Sequence, residues 1–368
     1  MTTLELAWYG CNLRTGVIAE ELPSLTPSGT IGRKLGAVTS ATFALDLAGA
    51  PAEWEAATDE GRTMLVGVDT ATDTPLWAGI VLNRIGGSDQ QVQLAAASPE
   101  AYLDRRYPGD YVIEGADQTD VMTALATAAL TDGPPLTVDA TSTGVAIDYT
   151  MADSDDRTIL SALQEISGMS GGPEWTIDVV WADGTHRAFA LVLRIRPTIG
   201  VTAISPEAVF DFPGCVASYT LAESYEKGRG ATSVVARGDQ SDGVRATSEL
   251  HTADAAIADG WALWEHRYTP AQGITDPEQL DRHATEALAL MTTGSRAWSL
   301  EAVASAAPRL GEAWGLGDTI QLSVAPRDVV AGTGSLRHPA GIDVVARAYA
   351  WTLDPAGDKV TPILLEDE

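Results

Sequence analysis

Near the end of the chain, alternating apolar and polar residues predict β-strands. The alternation between 319 and 324 has a period of two, which is typical of a strand with one buried face. Two more apolar runs follow at 342–353 and 360–365, and residues 354–357 between them have the composition of a tight reversal. The stretch from 315 onward therefore predicts three strands, and none of its side chains stands out as a reactive group.

The first hundred residues show the same alternation in a series of short segments. Turn-forming glycine, proline and aspartate residues separate these segments. The predicted strands lie at 3–9, 17–22, 40–47, 63–69, 75–84 and 91–96, with one or two helical turns at 51–58. Five or six short strands joined by tight turns favour a small β-barrel over a parallel sheet served by helices.

The middle of the chain changes from the strand period to the helix period. Residues 117–130 place apolar side chains on one helical face and begin at Asp117 or Thr119 as the capping residue. Residues 174–181 and 186–196 then predict a hairpin, because the Asp-Gly pair between them favours a tight turn.

A second helix is predicted at 158–167. Its apolar residues recur at positions i, i+1, i+4 and i+7, which fall on one face of a helix. Ser154, Asp155 and Asp156 are candidates for its N-terminal cap, and Gly168 is expected to end it.

The second half of the chain returns to strands and adds one long helix. Asp276 can cap this helix, Pro277 suits its first position, and Gly294 is expected to terminate it. The additional predicted strands lie at 217–225, 231–238 and 244–250.

These elements predict a mainly β protein with an α+β insertion. Residues 1–106 are predicted to form a first small β-barrel. Residues 107–198 form an inserted helix-and-hairpin domain. Residues 199–368 form a second small β-barrel with a long helix near 276–293.

The charge balance argues against specific nucleic-acid binding. The 368 residues include 51 acids and 23 bases, which give a formal net charge of −28, and lysine occurs only at Lys34, Lys227 and Lys359. Duplex DNA carries about one charge per 1.7 Å, and proteins bind it by neutralising phosphates with Lys and Arg. An acidic wall can still let DNA slide past without sticking, whereas the simpler explanation of this charge is solubility.

The cysteine content and the hydropathy pattern restrict the compartment. Cys11 and Cys215 are too few and too far apart for a disulfide framework or a zinc site, so we expect two buried reduced thiols. The sequence has no run of 18 apolar residues and no signal peptide at its start, which predicts synthesis in the cytoplasm without membrane insertion.

Three sequence patterns invite an enzymatic or adhesive interpretation. Residues 168–172 match Gly-x-Ser-x-Gly around Ser170, but they follow a helix and precede a strand, the reverse of the order in hydrolases. The five histidines lack metal-binding spacing, and His283 is expected on the polar side of its helix. The tripeptide at 237–239 reads Arg-Gly-Asp, where a turn between strands is the simpler interpretation. We therefore predict no catalytic residue, metal or cofactor.

Tryptophan and arginine residues supply the candidates for contacts between subunits. Four tryptophans occur at the ends of predicted elements or in links, where such side chains either anchor neighbouring molecules or pack internally. Two adjacent arginines in an acidic chain either pair with acids across an interface or are solvated. The candidates are Trp54, Trp261, Trp264, Trp314, Arg105 and Arg106.

The order of the elements resembles a family of bacteriophage proteins. The strand series at 63–69, 75–84 and 91–96, followed by Tyr-Leu-Asp-Arg-Arg at 102–106, resembles the first domain of tail-tip and baseplate hub proteins of long-tailed phages. The Asp-Pro-Glu-Gln-Leu-Asp-Arg-His-Ala helix from Asp276, followed by Leu-Gly-Asp-Thr-Ile, resembles their second barrel. Phage minor tail proteins and the N-terminal hub region of tail-associated lysins have a similar layout.

The resemblance implies a structural hub at the tail tip of a virion. Such a hub is a homotrimer with two barrels in each chain, and its pseudo-sixfold ring surrounds the DNA channel and adapts the sixfold tube to threefold tip components. Expected partners are a distal tail protein or tail tube protein, the tape measure protein, and tip, fibre or spike proteins, with DNA passing through without specific binding. Because the sequence ends soon after the last predicted strand, no lytic domain is expected. The alternatives are a phage-associated hydrolase acting on the cell wall and a carbohydrate-binding module.

Overall fold

The computed structural model describes residues 4–128, 130–241, 243–270 and 274–365. These residues form a mainly β chain with an α+β insertion, which confirms the predicted class. Among the predicted elements, Thr3 of the first strand, Ala129 of the first helix and residues 366–368 of the last domain lie outside the described residues.

The elements follow the chain in this order. Residues 4–106 contain β1 (Leu6–Asn12), β2 (Ile18–Glu21), β3 (Leu25–Pro27), β4 (Ile31–Lys34), β5 (Ser40–Asp46), α1 (Trp54–Ala57), β6 (Thr63–Asp69), β7 (Thr74–Ile85), β8 (Gln91–Ala97) and α2 (Glu100–Leu103). Residues 107–198 contain β9 (Tyr111–Asp117), α3 (Gln118–Thr127), β10 (Leu136–Ala140), β11 (Ala146–Met151), α4 (Ile159–Ser167), β12 (Glu174–Trp181) and β13 (Phe189–Arg196). The remainder contains β14 (Val209–Phe212), β15 (Val216–Ser224), β16 (Ser233–Ser241), β17 (Val244–Thr247), β18 (His251–Thr252), α5 (Asp254–Ala258), β19 (Glu265–Tyr268), α6 (Pro277–Met291), β20 (Ser295–Val303), β21 (Thr319–Val324), β22 (Ile342–Asp354) and β23 (Lys359–Leu365).

The first sheet has seven strands in the order β2-β1-β6-β7-β8-β5-β3. Its interior strand β6 is buried along its whole length, because both faces of the sheet are covered. Leu65 points into one apolar core and its neighbours Met64 and Val66 point into another, as the period of two requires. The first sheet is therefore a layer between two cores.

The second sheet also has seven strands. Six follow the order β14-β21-β22-β23-β20-β15, and β4 from the first hundred residues pairs antiparallel with β22. One core combines residues of both sheets, including Trp77 from the first and Trp298 and Trp351 from the second. The three strands predicted after residue 315 are confirmed as β21, β22 and β23.

Hydrogen bonding among the described residues closes neither seven-stranded sheet, so the predicted barrels are not closed barrels. Each sheet is an open layer, and the apolar faces of the two layers are buried against each other in one core. Closure requires the first and last strands of a sheet to pair, and in the part of the chain that the structure describes no pairing joins β2 to β3 or β14 to β15.

The insertion packs α3 and α4 beside the strands β10-β13-β12 and the pair β9-β11. The side chain of Asp117 accepts a 2.9 Å hydrogen bond from the backbone N–H of Thr119, so the predicted Asp117 cap is confirmed. The second helix is capped by Thr158. The three candidates predicted for this cap were wrong, because residues 153–155 form a separate 3₁₀ turn and residue 156 adopts a left-handed conformation (φ 50°).

A smaller unit forms around α6 and β16. Strands β17, β18 and β19 all pair with β16, and apolar side chains of β16, β17 and β19 pack against one face of α6. The Arg-Gly-Asp tripeptide lies inside β16 and not in a turn, which corrects the prediction. Gly238 is required there, because a Cβ atom at this position would lie 2.0 Å from the backbone oxygen of Ile274.

A buried ion pair ties the end of β6 to the link between β20 and β21. Arg309 donates from Nε to Asp69 Oδ2 at 2.7 Å and from Nη2 to Asp69 Oδ1 at 2.5 Å, and the Asp69 side chain is fully buried. Burial by itself raises the pKa of Asp69, but hydrogen bonds from Arg309, Thr72 and the amide of Ala71 outweigh burial and hold the pKa below its ordinary value.

Candidate functional site

Two of the predicted interface tryptophans come together on the small unit around α6. Helix α5 ends at Ala258, and Gly260 just after it has a φ of 101°, which favours glycine. Residues 261–264 follow as an exposed loop. Trp261 is 39% exposed and Trp264 is 53% exposed, and Leu263 between them is 62% exposed. Large apolar side chains grouped on a surface are typical of protein interaction sites.

Tyr225 from the end of β15 supports both tryptophans. Its ring centroid lies 5.0 Å from that of Trp261 and 5.9 Å from that of Trp264. The backbone N–H of Trp264 donates to the hydroxyl of Thr232 at 2.8 Å, which holds the loop against β16. We refer to Tyr225, Trp261, Leu263 and Trp264 as the Trp tip. Because the rings are already held in place, a partner that binds them orders few side chains.

The other two tryptophan candidates lie elsewhere. Trp314 is only 2% exposed, sits in the core shared by the two sheets, and donates from Nε1 to the backbone oxygen of Pro308 at 2.9 Å. This burial leaves Trp314 almost no surface for a partner. Trp54 is half-buried, and the guanidinium of Arg84 lies 5.7 Å from its ring centroid.

The two adjacent arginines have different surroundings. Arg106 donates from Nη1 to the hydroxyl of Tyr102 at 2.7 Å and from Nη2 to the backbone oxygen of Ala128 at 2.8 Å. It therefore joins α2 to the end of α3 within the chain. Arg105 is exposed. The structure does not bring either arginine to the Trp tip, and their predicted role at an interface stays a prediction.

The hydrolase-like pentapeptide occupies a loop between α4 and β12. Ser170 lies in this loop, and its backbone oxygen accepts a 3.3 Å hydrogen bond from the side chain of Gln118. The hydrolase motif places its serine between a strand and a following helix, and here the order is helix, loop, strand. Within the described ranges, no group of three His, Cys, Asp or Glu side chains could hold a metal ion.

His283 is buried, which contradicts its predicted place on the polar side of the helix. It is 3% exposed and its Nδ1 lies 3.1 Å from the backbone oxygen of Gly168, so it joins α6 to the end of α4. Burial lowers the pKa of His283, and the imidazole is neutral at pH 7. The helical pattern of α6 correctly predicts that His283 belongs to the helix. It does not predict that the insertion covers this side chain.

Sequence reasoning also missed a buried polar cluster beside His283. Arg157 bonds to the carboxylate of Glu165, the hydroxyl of Tyr149 lies 2.9 Å from the same carboxylate, and Gln279 of α6 donates to it at 2.9 Å. Burial raises the pKa of Tyr149 to about 12. All of these partners are side chains of this chain, and together they join the insertion to α6. No feature of the local sequence indicates that they meet.

Both cysteines are buried free thiols, as predicted. Burial raises the pKa of Cys11 to about 12 and that of Cys215 to about 11, so both thiols are protonated and unreactive at neutral pH. No helix in the described part of the chain is long and apolar enough to span a membrane.

Comparisons with known proteins relate the fold to tail proteins. No protein-family model and no curated protein sequence matches the chain. Among solved structures it is similar to a tail protein from Neisseria meningitidis MC58, with 12% identity and a TM-score of 0.60 over 100% of this chain and 97% of the other. It is also similar to the 43 kDa tail protein of prophage MuSo2 from Shewanella oneidensis (13% identity, TM-score 0.55, 93% and 97% covered). A third similar structure is prophage tail protein gp18 from Listeria monocytogenes EGD-e (11% identity, TM-score 0.53, 95% and 91% covered). The chain therefore has the fold of these tail proteins along almost its whole length.

Proposed function

We propose that this chain is a structural hub of a bacteriophage tail tip. The observation that carries the proposal is the likeness to a tail protein over 100% of this chain and 97% of the other. A likeness along the full length of both chains includes the two sheets, the insertion and the unit around α6 together. Because the sequence identity is 12%, the similarity supports the fold alone, and the role is our inference from that fold.

In this role three copies form a ring around the DNA channel. Each chain contributes two seven-stranded sheets packed on one core, so three chains present six similar layers to a sixfold tube. The tube side is the place for a distal tail protein or tail tube protein and for the tape measure protein. The opposite side is the place for tip, fibre or spike proteins. The net charge of −28 repels DNA, which lets DNA pass without specific binding.

Two measurements test the role. The molecular mass of the purified chain, measured by sedimentation equilibrium over a range of concentrations, should approach three times the monomer mass of 38.6 kDa. A cryo-electron microscopy map of the intact tail should contain this chain in a threefold ring below the tube. A complete tail-tip map without such a ring contradicts the proposal. If the chain instead hydrolyses purified cell wall and Ser170→Ala abolishes that activity, the hydrolase alternative replaces it.

A further inference from the structure

We infer that the Trp tip docks on the acidic outer face of the β9-β11 pair in a second copy of this chain. The inference rests on the proposed ring and specifies which two surfaces meet in it. It depends on the charges beside the tip, on the charges of the insertion, and on the distance between the two surfaces within one chain.

The turn beside the Trp tip carries two cations, Lys227 and Arg229, and one acid, Glu226. Lys227 and Arg229 follow Tyr225 on an exposed turn, and neither forms an ion pair with a side chain in the described ranges. By contrast, the exposed Lys359 pairs with Glu301 at 2.9 Å. In a chain with 51 acids and 23 bases, two neighbouring unpaired cations beside exposed tryptophans indicate a partner surface that is both apolar and acidic.

The insertion provides such a surface. Residues 107–156 contain ten Asp and Glu residues and no Lys, Arg or His. On the outer face of the β9-β11 pair, Glu114 and Asp148 are both exposed, and Val112 beside them is 71% exposed. Carboxylates around an exposed valine complement lysine and arginine around exposed tryptophans. Because every copy of the chain carries this face, a second copy meets the requirement without any further protein.

One chain cannot join its own two surfaces. The tip lies at the C-terminal end of α6, where the hydroxyl of Tyr225 donates to the backbone oxygen of Thr292 at 3.3 Å. The acidic face lies beside the N-terminal half of α6, where Arg282 donates to the backbone oxygen of Ala146 in β11 at 3.0 Å. Ten residues of helix separate these contacts by about 15 Å. The contact is therefore between copies, and its head-to-tail character allows a closed ring.

Charge-reversal variants test the contact. Lys227→Glu with Arg229→Glu reverses the tip, and Glu114→Lys with Asp148→Lys reverses the face. Each reversal places like charges opposite each other and should weaken association by roughly 100-fold in sedimentation equilibrium. All four substitutions in one chain restore opposite charges and should restore association. Lys359→Glu, which reverses an exposed lysine away from both surfaces, is the matched control and should leave association unchanged.

The outcomes separate this inference from the tail-tip role. If the wild type forms trimers and the tip reversal leaves them intact, the docking surface is wrong while the ring stands. If both reversals dissociate the trimer but the fourfold variant does not restore it, the tip binds a different acidic surface, and the assigned pairing is overturned. If the wild type stays monomeric at every concentration, the inference fails, and the cryo-electron microscopy map decides the role independently. Circular dichroism of each variant verifies that it is folded.

Discussion

Removing Arg309 should destabilise the chain strongly, because it leaves a buried carboxylate without its cation. The Asp69 side chain is fully buried, while that of Arg309 is 16% exposed. Breaking a buried ion pair from one side costs about 3–5 kcal/mol, and the partial exposure of Arg309 places Arg309→Ala near 3 kcal/mol. With a urea m-value of about 3 kcal/mol/M, the unfolding midpoint should fall by about 1 M. Tryptophan fluorescence follows the transition, because several tryptophans lie in the shared core.

A matched control separates the buried pair from arginine loss in general. Arg62 pairs with Asp59 at 3.0 Å, and the Arg62 side chain is 77% exposed. Arg62→Ala should cost less than about 1 kcal/mol, because exposed pairs are screened by solvent. If Arg309→Ala shifts the midpoint no more than Arg62→Ala does, the reasoning about the buried pair is refuted.

The same pair predicts a dependence on pH. The pKa of Asp69 in the folded chain lies below its ordinary value of 3.8, so the unfolded chain binds this proton more readily. The stability that Asp69 contributes is therefore fully present above pH 3.8 and is lost as the pH falls through the folded value. The difference in urea unfolding midpoint between wild type and Arg309→Ala should therefore become smaller as the pH falls below 3.8. If the midpoint difference stays constant at every pH below 3.8 at which the wild type still folds, the conclusion that Arg309 lowers the pKa of Asp69 is contradicted.

Three further predictions concern a helix cap, a glycine and the thiols. Asp117→Ala should lower the free energy of unfolding by about 1–2 kcal/mol, because the cap of α3 is lost; an unchanged urea midpoint contradicts this. Gly238→Ala should lower the free energy of unfolding by about 1–3 kcal/mol through overpacking, and it should make the unit around α6 sensitive to limited proteolysis. The control Gly29→Ala should behave as wild type, because a Cβ atom at residue 29 meets open space. Cys11 and Cys215 should react with a thiol reagent at pH 8 only after unfolding, and prompt reaction of the native chain contradicts their burial.

Much of the fold could be predicted because its strands are patterned locally. The alternation in β5, β21 and β23 is visible in the sequence, and the hairpin of β12 and β13 is marked by its Asp-Gly turn. Strand β4 could not be predicted, because four residues after a proline-rich link carry too short a pattern. Its pairing with β22 joins segments more than 300 residues apart, and no local pattern encodes such a pairing.

The candidate site was only partly predictable for a related reason. Sequence position identified Trp261, Trp264 and Trp314 equally, since all three lie outside regular strand patterns. Burial then separates them, because the core of the two sheets covers Trp314 and leaves the other two exposed. Which side chain is covered depends on how distant segments pack, as the burial of His283 by the insertion also shows. The position of a residue in its own element does not contain that information.

The pairing of β4 with β22 has a consequence for the order of events during synthesis. Ile31 is completely buried in the finished chain, and its strand partner Leu353 is made 322 residues later (353 − 31). At a translation rate of about 5–20 residues per second, the interval is roughly 15 to 60 s. Throughout that time β4 presents an unpaired strand edge next to an uncovered apolar face. We therefore expect the nascent chain to be prone to aggregation until β22 has left the ribosome.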